Sequence, residues 1–365
     1  MAQKTLISME RDRLRDQQPD IVSAPVPDTP HSLDSGSSPP LISNGYTLPT
    51  YREPFRLNRD QPLPHVSGQT KFAVCQSSIA ALASSTIDGF PIDACGSDDG
   101  QVRLVNSENQ RMFTSPVSSH QSFVSSLAFV QSSKLLISAS GDGEIILSPL
   151  NPPTAISAVT SLHVHSSAVW SMEVLDNSLL TASMDHTCRL IDLESLKTRQ
   201  TFKGFHCDSI NLSRFWSQQT VLTGSADKSV CLWDIRSGHK VSSWYKLPFS
   251  APIVDISDLG SGQFACVQMD GKISICDKNN SQVVKIFHLV DTVVSHTLAV
   301  SANQLAIACI DGTVKFLNLD NDGNSIDAIP LSNGPVLALS SRQSQHDVIT
   351  ASTSEGSIHV IEFHT

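Results

Sequence analysis

The sequence predicts an all-β fold in which one structural unit is repeated seven times. The main observation is a series of acidic residues in predicted turns, spaced 41 to 44 residues apart. In chain order they are Asp99, Asp142, Asp185, Asp227, Asp270, Asp311 and Glu355. A period of roughly 40–45 residues is the size of one four-stranded blade of a β-propeller. The spacing therefore predicts one seven-bladed β-propeller over about residues 70–365.

Strands are predicted on either side of each turn. In five of the seven copies glycine follows the acid, as in Asp142-Gly143, and glycine readily takes the positive φ of a tight hairpin. An apolar stretch such as Val124–Phe129 precedes most turns and predicts an inner strand. The fourth of these stretches, Ile210–Phe215, is the least regular because it carries Arg214. An outer strand follows in the linking segment, as at Arg199–Phe202.

The two ends of the repeat region are predicted to meet. The seventh copy stops at Thr365, directly after its third strand, so its blade lacks an outer strand. The apolar stretch Lys71–Cys75 is predicted to supply that strand, which closes the ring and covers an edge that would otherwise invite aggregation. Residues 1–69 are punctuated by prolines and polar residues, and they are predicted to form a disordered tail.

Composition restricts the class of function. The 365 residues carry a formal charge of −10 with only 16% charged residues, so binding to nucleic acid is disfavoured. The eight cysteines form no C-x-x-C pair, which argues against a zinc site and against a disulfide framework. The sequence contains no signal-peptide core and no apolar segment of about 18 residues. We therefore expect a soluble protein of the cytoplasm, the nucleus or both, without membrane contact.

The clearest copy of the repeat is Leu222–Gly238. Gly224-Ser225 precedes its turn, Asp227 lies in the turn, Trp233-Asp234 follows six residues later, and His206 lies upstream. This copy resembles the WD40 repeat. The resemblance implies a WD40-type propeller and a hydrogen-bonded structural cluster that ties one blade together, here formed by His206, Ser225, Asp227 and Trp233. Such a cluster is chemically reasonable, because carboxylate, imidazole, hydroxyl and indole groups have complementary donors and acceptors.

The other copies depart from this pattern. The second and third keep the His, Ser and Asp but not the Trp, at His120, Ser140 and Asp142 and at His165, Ser183 and Asp185. The fifth and sixth have Gln268 and Cys309 where Ser is expected, and they have no convincing His. Only the fourth copy is therefore expected to hold the complete cluster.

No catalytic, cofactor-binding or metal-binding residue is predicted. The sequence has no nucleophile elbow, P-loop, H-E-x-x-H or G-x-G-x-x-G motif. The His, Ser and Asp of several copies resemble a hydrolase triad, but they recur at the repeat period, as a structural cluster does. The turn acids are also poor candidates for a shared metal site, because one acid per blade leaves them far apart. We therefore expect no enzyme activity, no cofactor and no small-molecule substrate.

The WD40 resemblance also implies a binding face. In that family recognition often falls on the face with the acidic turns, onto which the residue before each acid points. These residues are Asp98, Gly141, Met184, Ala226, Met269, Ile310 and Ser354. Met184, Met269 and Ile310 would form an adaptable apolar patch, unless neighbouring loops cover them. Trp170 is either a binding anchor or part of the packing within its blade. The candidate partner-binding residues are Asp98, Trp170, Met184, Met269 and Ile310.

The leading functional hypothesis is a non-enzymatic scaffold or adaptor that holds peptide segments or subunits of a larger complex. The alternative is a substrate receptor of a cullin-4-type ubiquitin ligase. It rests on Trp233–Arg236, which matches the W-D-x-R ending of such receptors, although the same ending occurs in other WD40 proteins. In that group the arginine, here Arg236, contacts the ligase adaptor, and an arginine can make a paired, charge-assisted contact with a carboxylate.

Overall fold

The structure is a computed structural model that describes residues 65–106, 109–113, 116–151, 155–156, 159–243, 249–260, 262–277, 282–289, 292–301, 303–319, 326–342 and 345–364. All regular secondary structure in these segments is β-strand. No helix among these residues is long and apolar enough to cross a membrane. The tail predicted for residues 1–69 lies outside the described residues up to residue 64.

The described chain begins with β1 (His65–Ala73) and continues through seven blades. Blade 1 contains β2 (Ile79–Ile87), β3 (Phe90–Ser97), β4 (Gln101–Asn106), β5 (Arg111–Met112) and β6 (Ser118–Ser119). Blade 2 contains β7 (Val124–Val130), β8 (Leu135–Ser140), β9 (Glu144–Asn151), β10 (Ala155–Ile156) and β11 (Thr160–His163). Blade 3 contains β12 (Val169–Leu175), β13 (Ser178–Ser183), β14 (Cys188–Asp192) and β15 (Lys197–Phe202).

The second half of the ring is built in the same way. Blade 4 contains β16 (Ile210–Ser217), β17 (Thr220–Ser225), β18 (Val230–Asp234) and β19 (Lys240–Ser243). Blade 5 contains β20 (Ile253–Gly260), β21 (Gln263–Gln268), β22 (Lys272–Asp277) and β23 (Gln282–His288). Blade 6 contains β24 (Val294–Ser301), β25 (Gln304–Cys309), β26 (Thr313–Asn318) and β27 (Ile326–Pro330). Blade 7 contains β28 (Val336–Arg342), β29 (Gln345–Thr353) and β30 (Ser357–His364), with β1 as its fourth strand.

Each blade is an antiparallel sheet, and the seven blades form a closed ring. The first strand of every blade packs against the first strand of the next, and the last of them, β28, packs against β2. The turn acids lie between the second and third strands of their blades. The prediction of an all-β, seven-bladed propeller is confirmed.

Blade 7 is completed by the start of the described chain. Strand β1 pairs with β30 from His65 opposite His364 to Ala73 opposite Ser357. Lys71 of β1 also contacts the turn of blade 7, because its Nζ lies 3.0 Å from Glu355 Oε2. The strand thus begins six residues before Lys71, where it was predicted to begin, and ends two residues before Cys75, where it was predicted to end. A domain boundary at residue 70 would therefore cut through it. The sequence pattern misses residues 65–70 because they are mostly polar, whereas their backbone continues the pairing along β30.

The hydrophobic core is divided into layers between neighbouring blades. Each of seven buried clusters joins strands of two adjacent blades, so that the sheets pack face to face around the ring. The layer between blades 7 and 1 contains the fewest buried residues, at Val74, Ile79, Cys95, Val105 and Ile358.

Candidate functional site

Blade 4 holds a hydrogen-bonded cluster beside its turn acid. The Trp233 Nε1–H donates to Thr223 Oγ1 at 2.8 Å, and this oxygen lies 2.7 Å from His206 Nε2. The other ring nitrogen, His206 Nδ1, lies 3.1 Å from Asp227 Oδ2. In the neutral ring Nδ1 carries the proton, because the carboxylate only accepts, and Nε2 then accepts from the Thr223 hydroxyl. A continuous series of hydrogen bonds therefore runs from the indole to the carboxylate.

The hydroxyl in this cluster belongs to Thr223, so the assignment of Ser225 is wrong. Ser225 Oγ accepts from the Asp227 backbone N–H at 3.1 Å and donates to the Ser209 carbonyl at 2.8 Å. Both side chains lie on the same face of β17, two residues apart. Ser225 flanks the turn and is used by the backbone there, whereas Thr223 lies deeper and reaches between the imidazole and the indole.

Hydrogen bonding lowers the pKa of the Asp227 carboxyl group. Burial alone would raise the pKa of this carboxyl group, but hydrogen bonds from His206 and Ser229 and the backbone N–H of Cys207 outweigh it. The pKa of Asp227 is therefore held well below its ordinary value. The same balance, with His165 and Thr187 as donors, lowers the pKa of Asp185 in blade 3. Both acids are ionised wherever the blades are folded at neutral pH.

Blades 2 and 3 contain related clusters without the indole. In blade 3, His165 Nε2 lies 2.7 Å from Thr181 Oγ1, and Nδ1 lies 2.9 Å from Asp185 Oδ2. In blade 2, His120 Nε2 lies 2.8 Å from Ser138 Oγ. The hydroxyl again comes from the residue two positions before the predicted serine, so Ser183 and Ser140 are not its source. The signal in the sequence is that each copy has hydroxyl residues at both positions.

The turn acids of the other blades are held differently. In blade 1 the guanidinium of Arg103 contacts Asp99 at 2.8 Å, and this pairing, with other hydrogen bonds, outweighs burial and lowers the pKa of Asp99 to about 2. In blade 6, Lys315 Nζ lies 3.2 Å from Asp311. In blade 5 the predicted serine position holds Gln268, whose side-chain oxygen accepts from the Ser250 backbone N–H at 2.8 Å. Local ion pairs and amides therefore replace the histidine cluster in these blades.

The residues before the turn acids occupy equivalent positions at one end of the ring. In every blade the backbone N–H of this residue donates to a carbonyl in the segment that leads into the inner strand, at 2.9 to 3.1 Å. Asp98 is exposed, and Met184, Met269 and Ile310 are each half-buried. The seven positions are Asp98, Gly141, Met184, Ala226, Met269, Ile310 and Ser354. We call this end of the propeller the turn-acid face.

Two half-buried aromatic rings contact each other on the turn-acid face. Phe123 directly precedes β7 of blade 2, Trp170 lies near the start of β12 of blade 3, and their ring centroids are 5.7 Å apart. Gly141, at the position before the blade 2 acid, lies under the Phe123 ring, and a side chain there would overlap with it. Trp170 therefore packs across a blade boundary and also keeps an exposed surface. Sequence reasoning singled out Trp170 and missed Phe123, which has no signal of its own.

A polar network links the inner strands of four blades, and sequence reasoning missed it. Arg214 of β16 contacts Ser171 of β12 at 3.1 Å and Asp255 of β20 at 3.1 Å. Asp255 is buried and also accepts from the backbone N–H of Thr297 in β24 at 2.8 Å. Replacing Arg214 with an uncharged residue would leave the buried carboxylate of Asp255 without its charged partner. The irregular Arg214 in an apolar stretch is thus explained by its partner in the next blade.

Arg236 lies at the opposite end of blade 4 from Asp227, because β18 runs between them. Its side chain is 74% exposed, and one guanidinium nitrogen lies 3.3 Å from Asp234 Oδ2. The Asp234 carboxylate also accepts the backbone N–H of Arg236 at 2.9 Å. The guanidinium is therefore oriented locally while most of its donors remain free for water or for another molecule.

Histidines, acids and thiols are the groups on which catalysis or metal binding would depend. The imidazoles of blades 3 and 4 are buried, and each has one nitrogen beside its turn acid and the other beside a buried threonine hydroxyl. Among the described residues, one group has donor atoms close enough to share a metal ion, all within 4.8 Å of one another, and it consists of His120, Asp142 and Glu144. All eight cysteines are free thiols; Cys207 is exposed, Cys75 is half-buried and the other six are buried.

Comparison with known protein families finds one matching model. It is described as WD domain, G-beta repeat, and it matches residues 111–147, 156–192 and 197–234. These segments include most of blades 2 to 4, the blades in which a histidine before the inner strand contacts a hydroxyl of the second strand. The chain is also similar to a solved structure of the WD40 beta propeller domain of Doa1, with a TM-score of 0.70 and 19% identity. That match covers 82% of this chain and 96% of the other, and it concerns the fold.

Several curated proteins are similar to part of the chain. Cilia- and flagella-associated protein 52 of Mus musculus is 25% identical over 232 residues, which is 62% of this chain and 35% of that protein. Protein tipD of Dictyostelium discoideum is 24% identical over 55% of this chain and 33% of its own length. The guanine nucleotide-binding protein subunit beta of Oryza sativa subsp. indica is 29% identical over 42% of this chain and 44% of its own length. The aligned parts span about a third to under a half of these relatives.

Proposed function

We propose that this chain, a WD40-repeat protein with seven blades, is a non-enzymatic scaffold that binds a protein partner on its turn-acid face. WD40 propellers generally bind proteins and are generally not catalysts, and WD-repeat relatives match this chain. The observation that carries the proposal is the pair Phe123 and Trp170, two contacting rings that keep exposed surface on that face.

The energetics of protein interfaces favour this surface. A few buried aromatic residues, tryptophan above all, supply most of the binding energy of a typical interface. Trp170 is already held by Phe123 and the strand β12, so little side-chain entropy is lost when a partner covers it. Met184, before the acid of the same blade, is half-buried and adds an adaptable apolar group. A peptide segment or a folded subunit with a complementary apolar group fits this description.

The test is affinity purification of the tagged full-length chain from its own cells, with the bound proteins identified by mass spectrometry. We expect Trp170→Ala and Met184→Glu to lose partners that the unchanged chain retains. The matched control is Phe90→Ala, because Phe90 is 56% exposed and lies after the first turn of blade 1, at the opposite end of the ring. Thermal melts confirm that each variant folds. Unchanged partners in both face variants would refute binding at this surface.

The ubiquitin-ligase receptor remains a second candidate because Arg236 is exposed and oriented. Its guanidinium lies at the end of the ring opposite the turn-acid face, so the two contacts are separable. We expect Arg236→Ala to lose a cullin-4-type ligase adaptor, while Arg236→Lys retains it only in part because Lys lacks the bidentate fork. If neither the unchanged chain nor the Lys variant copurifies such an adaptor, the chain is a scaffold without a ligase role.

A further inference from the structure

Blade 2 differs from blades 3 and 4 at one residue beside its histidine. In blades 3 and 4 a hydroxyl residue stands two positions after the turn acid, at Thr187 and Ser229. Thr187 Oγ1 lies 2.6 Å from Asp185 Oδ1 and 3.3 Å from the Nδ1 of His165. The corresponding residue of blade 2 is Glu144, so a second carboxylate replaces the hydroxyl.

This replacement leaves one buried nitrogen without a hydrogen bond. The His120 ring is held through Nε2, which lies 2.8 Å from Ser138 Oγ, and its side chain is fully buried. The other nitrogen, Nδ1, has no hydrogen-bond partner among the described residues. It lies 3.8 Å from Asp142 Oδ2 and 3.9 Å from Glu144 Oε2. A buried polar atom aimed at two carboxylates calls for a physical explanation.

The Asp142 carboxylate is positioned by backbone hydrogen bonds before anything binds beside it. Asp142 Oδ2 accepts the backbone N–H of Gln121 at 2.9 Å, and Oδ1 accepts the backbone N–H of Glu144 at 2.8 Å. Beyond them, Glu144 Oε1 lies 3.7 Å from Nε2 of the exposed His163 in β11. Two imidazoles and two carboxylates thus converge within a single blade, although the turn acids of different blades lie far apart.

The geometry around Nδ1 favours a bound cation. Nδ1 is buried, has no hydrogen-bond partner among the described residues, and lies 3.8 Å and 3.9 Å from an oxygen of each carboxylate. The donor atoms of His120, Asp142 and Glu144 all lie within 4.8 Å of one another, so one ion could contact all three. When Nε2 donates to Ser138, Nδ1 keeps its lone pair, which is the form in which an imidazole nitrogen binds a metal ion.

We propose that His120, Asp142 and Glu144 form a binding site for a divalent transition-metal ion of the zinc class, with His163 as a fourth ligand. Zinc takes imidazole and carboxylate ligands at about 2.0–2.2 Å in tetrahedral sites, which places ligand atoms about 3.4 Å apart. His120 Nδ1 lies 3.8 Å and 3.9 Å from the two carboxylate oxygens, and all three donor atoms lie within 4.8 Å of one another, so a bound ion would draw them together. An imidazole donor beside two carboxylates favours zinc over magnesium or calcium, which prefer oxygen ligands alone.

The test compares zinc binding by the purified, chelator-treated full-length chain and by Glu144→Thr. This substitution installs the residue that blade 3 carries at the same position, so the variant is expected to fold, as a thermal melt would show. The matched control is Glu194→Thr, which removes an exposed acid after β14, at the other end of blade 3. Zinc is titrated by calorimetry, and cobalt is added in parallel to read tetrahedral coordination from its visible absorption.

We expect the unchanged chain and Glu194→Thr to bind one equivalent of zinc at least about tenfold more tightly than Glu144→Thr. Loss of a residue that only supports a metal ligand already lowers metal affinity by about 10–100-fold. Zinc should raise the melting midpoint of the first two only, and His163→Ala should weaken binding less than Glu144→Thr does. Equal stoichiometry and affinity in Glu144→Thr would assign the binding to other histidines or thiols. The absence of stoichiometric binding at micromolar zinc would also overturn the proposal.

Discussion

Replacing Asp227 with Ala removes a carboxylate that accepts hydrogen bonds from His206, Cys207 and Ser229 in blade 4. Its carboxylate lies 3.1 Å from His206 Nδ1, 3.0 Å from the Cys207 backbone nitrogen and 2.9 Å from the Ser229 backbone nitrogen, and it also contacts the Ser229 hydroxyl. Hydrogen bonds to a charged group contribute about 1.5–3 kcal/mol each, and a buried donor left unsatisfied costs about 1–3 kcal/mol.

Part of this loss is recovered after the substitution. Ser229 Oγ lies 2.9 Å from His206 Nδ1, so the two groups still pair with each other. Water can reach the backbone N–H of Cys207, because Cys207 is exposed. The remaining cost is close to that of one charged hydrogen bond. We therefore expect Asp227→Ala to lower the free energy of unfolding by about 2–3 kcal/mol.

The measurement is thermal and urea unfolding followed by circular dichroism. The control is Asp270→Ala, because Asp270 occupies the same turn position in blade 5 but its side chain is 32% exposed and contacts Ser250 and Lys272. We expect this control to lose less than about 1 kcal/mol, as is usual for exposed ion pairs. Equal losses in the two variants would show that the turn geometry matters and the histidine cluster does not.

Two further predictions concern the ring closure and the response to acid. Deleting residues 1–64 should leave the melting midpoint unchanged, whereas deleting residues 1–73 removes β1, exposes the edge of β30 and should cause unfolding or aggregation; equal midpoints would contradict closure by β1. The lowered pKa values of Asp185 and Asp227 contribute stability that is complete above the unfolded value of about 3.9 and is lost as the pH falls toward the folded values. The variant Asp227→Asn should therefore lose less stability than the unchanged chain between about pH 4 and pH 2, and parallel curves for the two proteins would contradict this assignment.

The blade architecture is readable from the sequence because it depends on local chemistry that recurs. An acid followed by glycine specifies the hairpin turn, as at Asp311-Gly312, where Gly312 has a φ of 86°. The apolar stretches before and after each turn fit the strands of a packed sheet. These signals survive even where the histidine cluster is lost, so the number of blades does not depend on it.

The hydroxyl of the cluster could not be identified from the same pattern. Thr223 and Ser225 are both hydroxyl residues on one face of β17, and the repeat spacing fits either of them. Only their depth relative to the turn decides which one meets His206. A period of two along a strand specifies a face but not a depth, and depth is a tertiary property.

Side-chain contacts between neighbouring blades also could not be predicted from the sequence. The Phe123 ring meets Trp170 of the following blade, and Arg214 meets Asp255 in the same way. Residues that pair across blades are separated by roughly one repeat, but the repeat pattern does not reveal which positions face the neighbouring blade. The convergence of Glu144 on His120 is likewise visible only when the turn and the segment before β7 are placed together.

The proposed metal site and the proposed partner surface share one short segment. His120 and Phe123 lie on either side of Gln121, whose backbone N–H binds Asp142, and Gly141 beside that acid lies under the Phe123 ring. A cation that draws His120 toward Asp142 and Glu144 would therefore also restrain the loop that carries Phe123. Because linkage between two sites is reciprocal, zinc that strengthens partner binding must itself be bound more tightly when the partner is present.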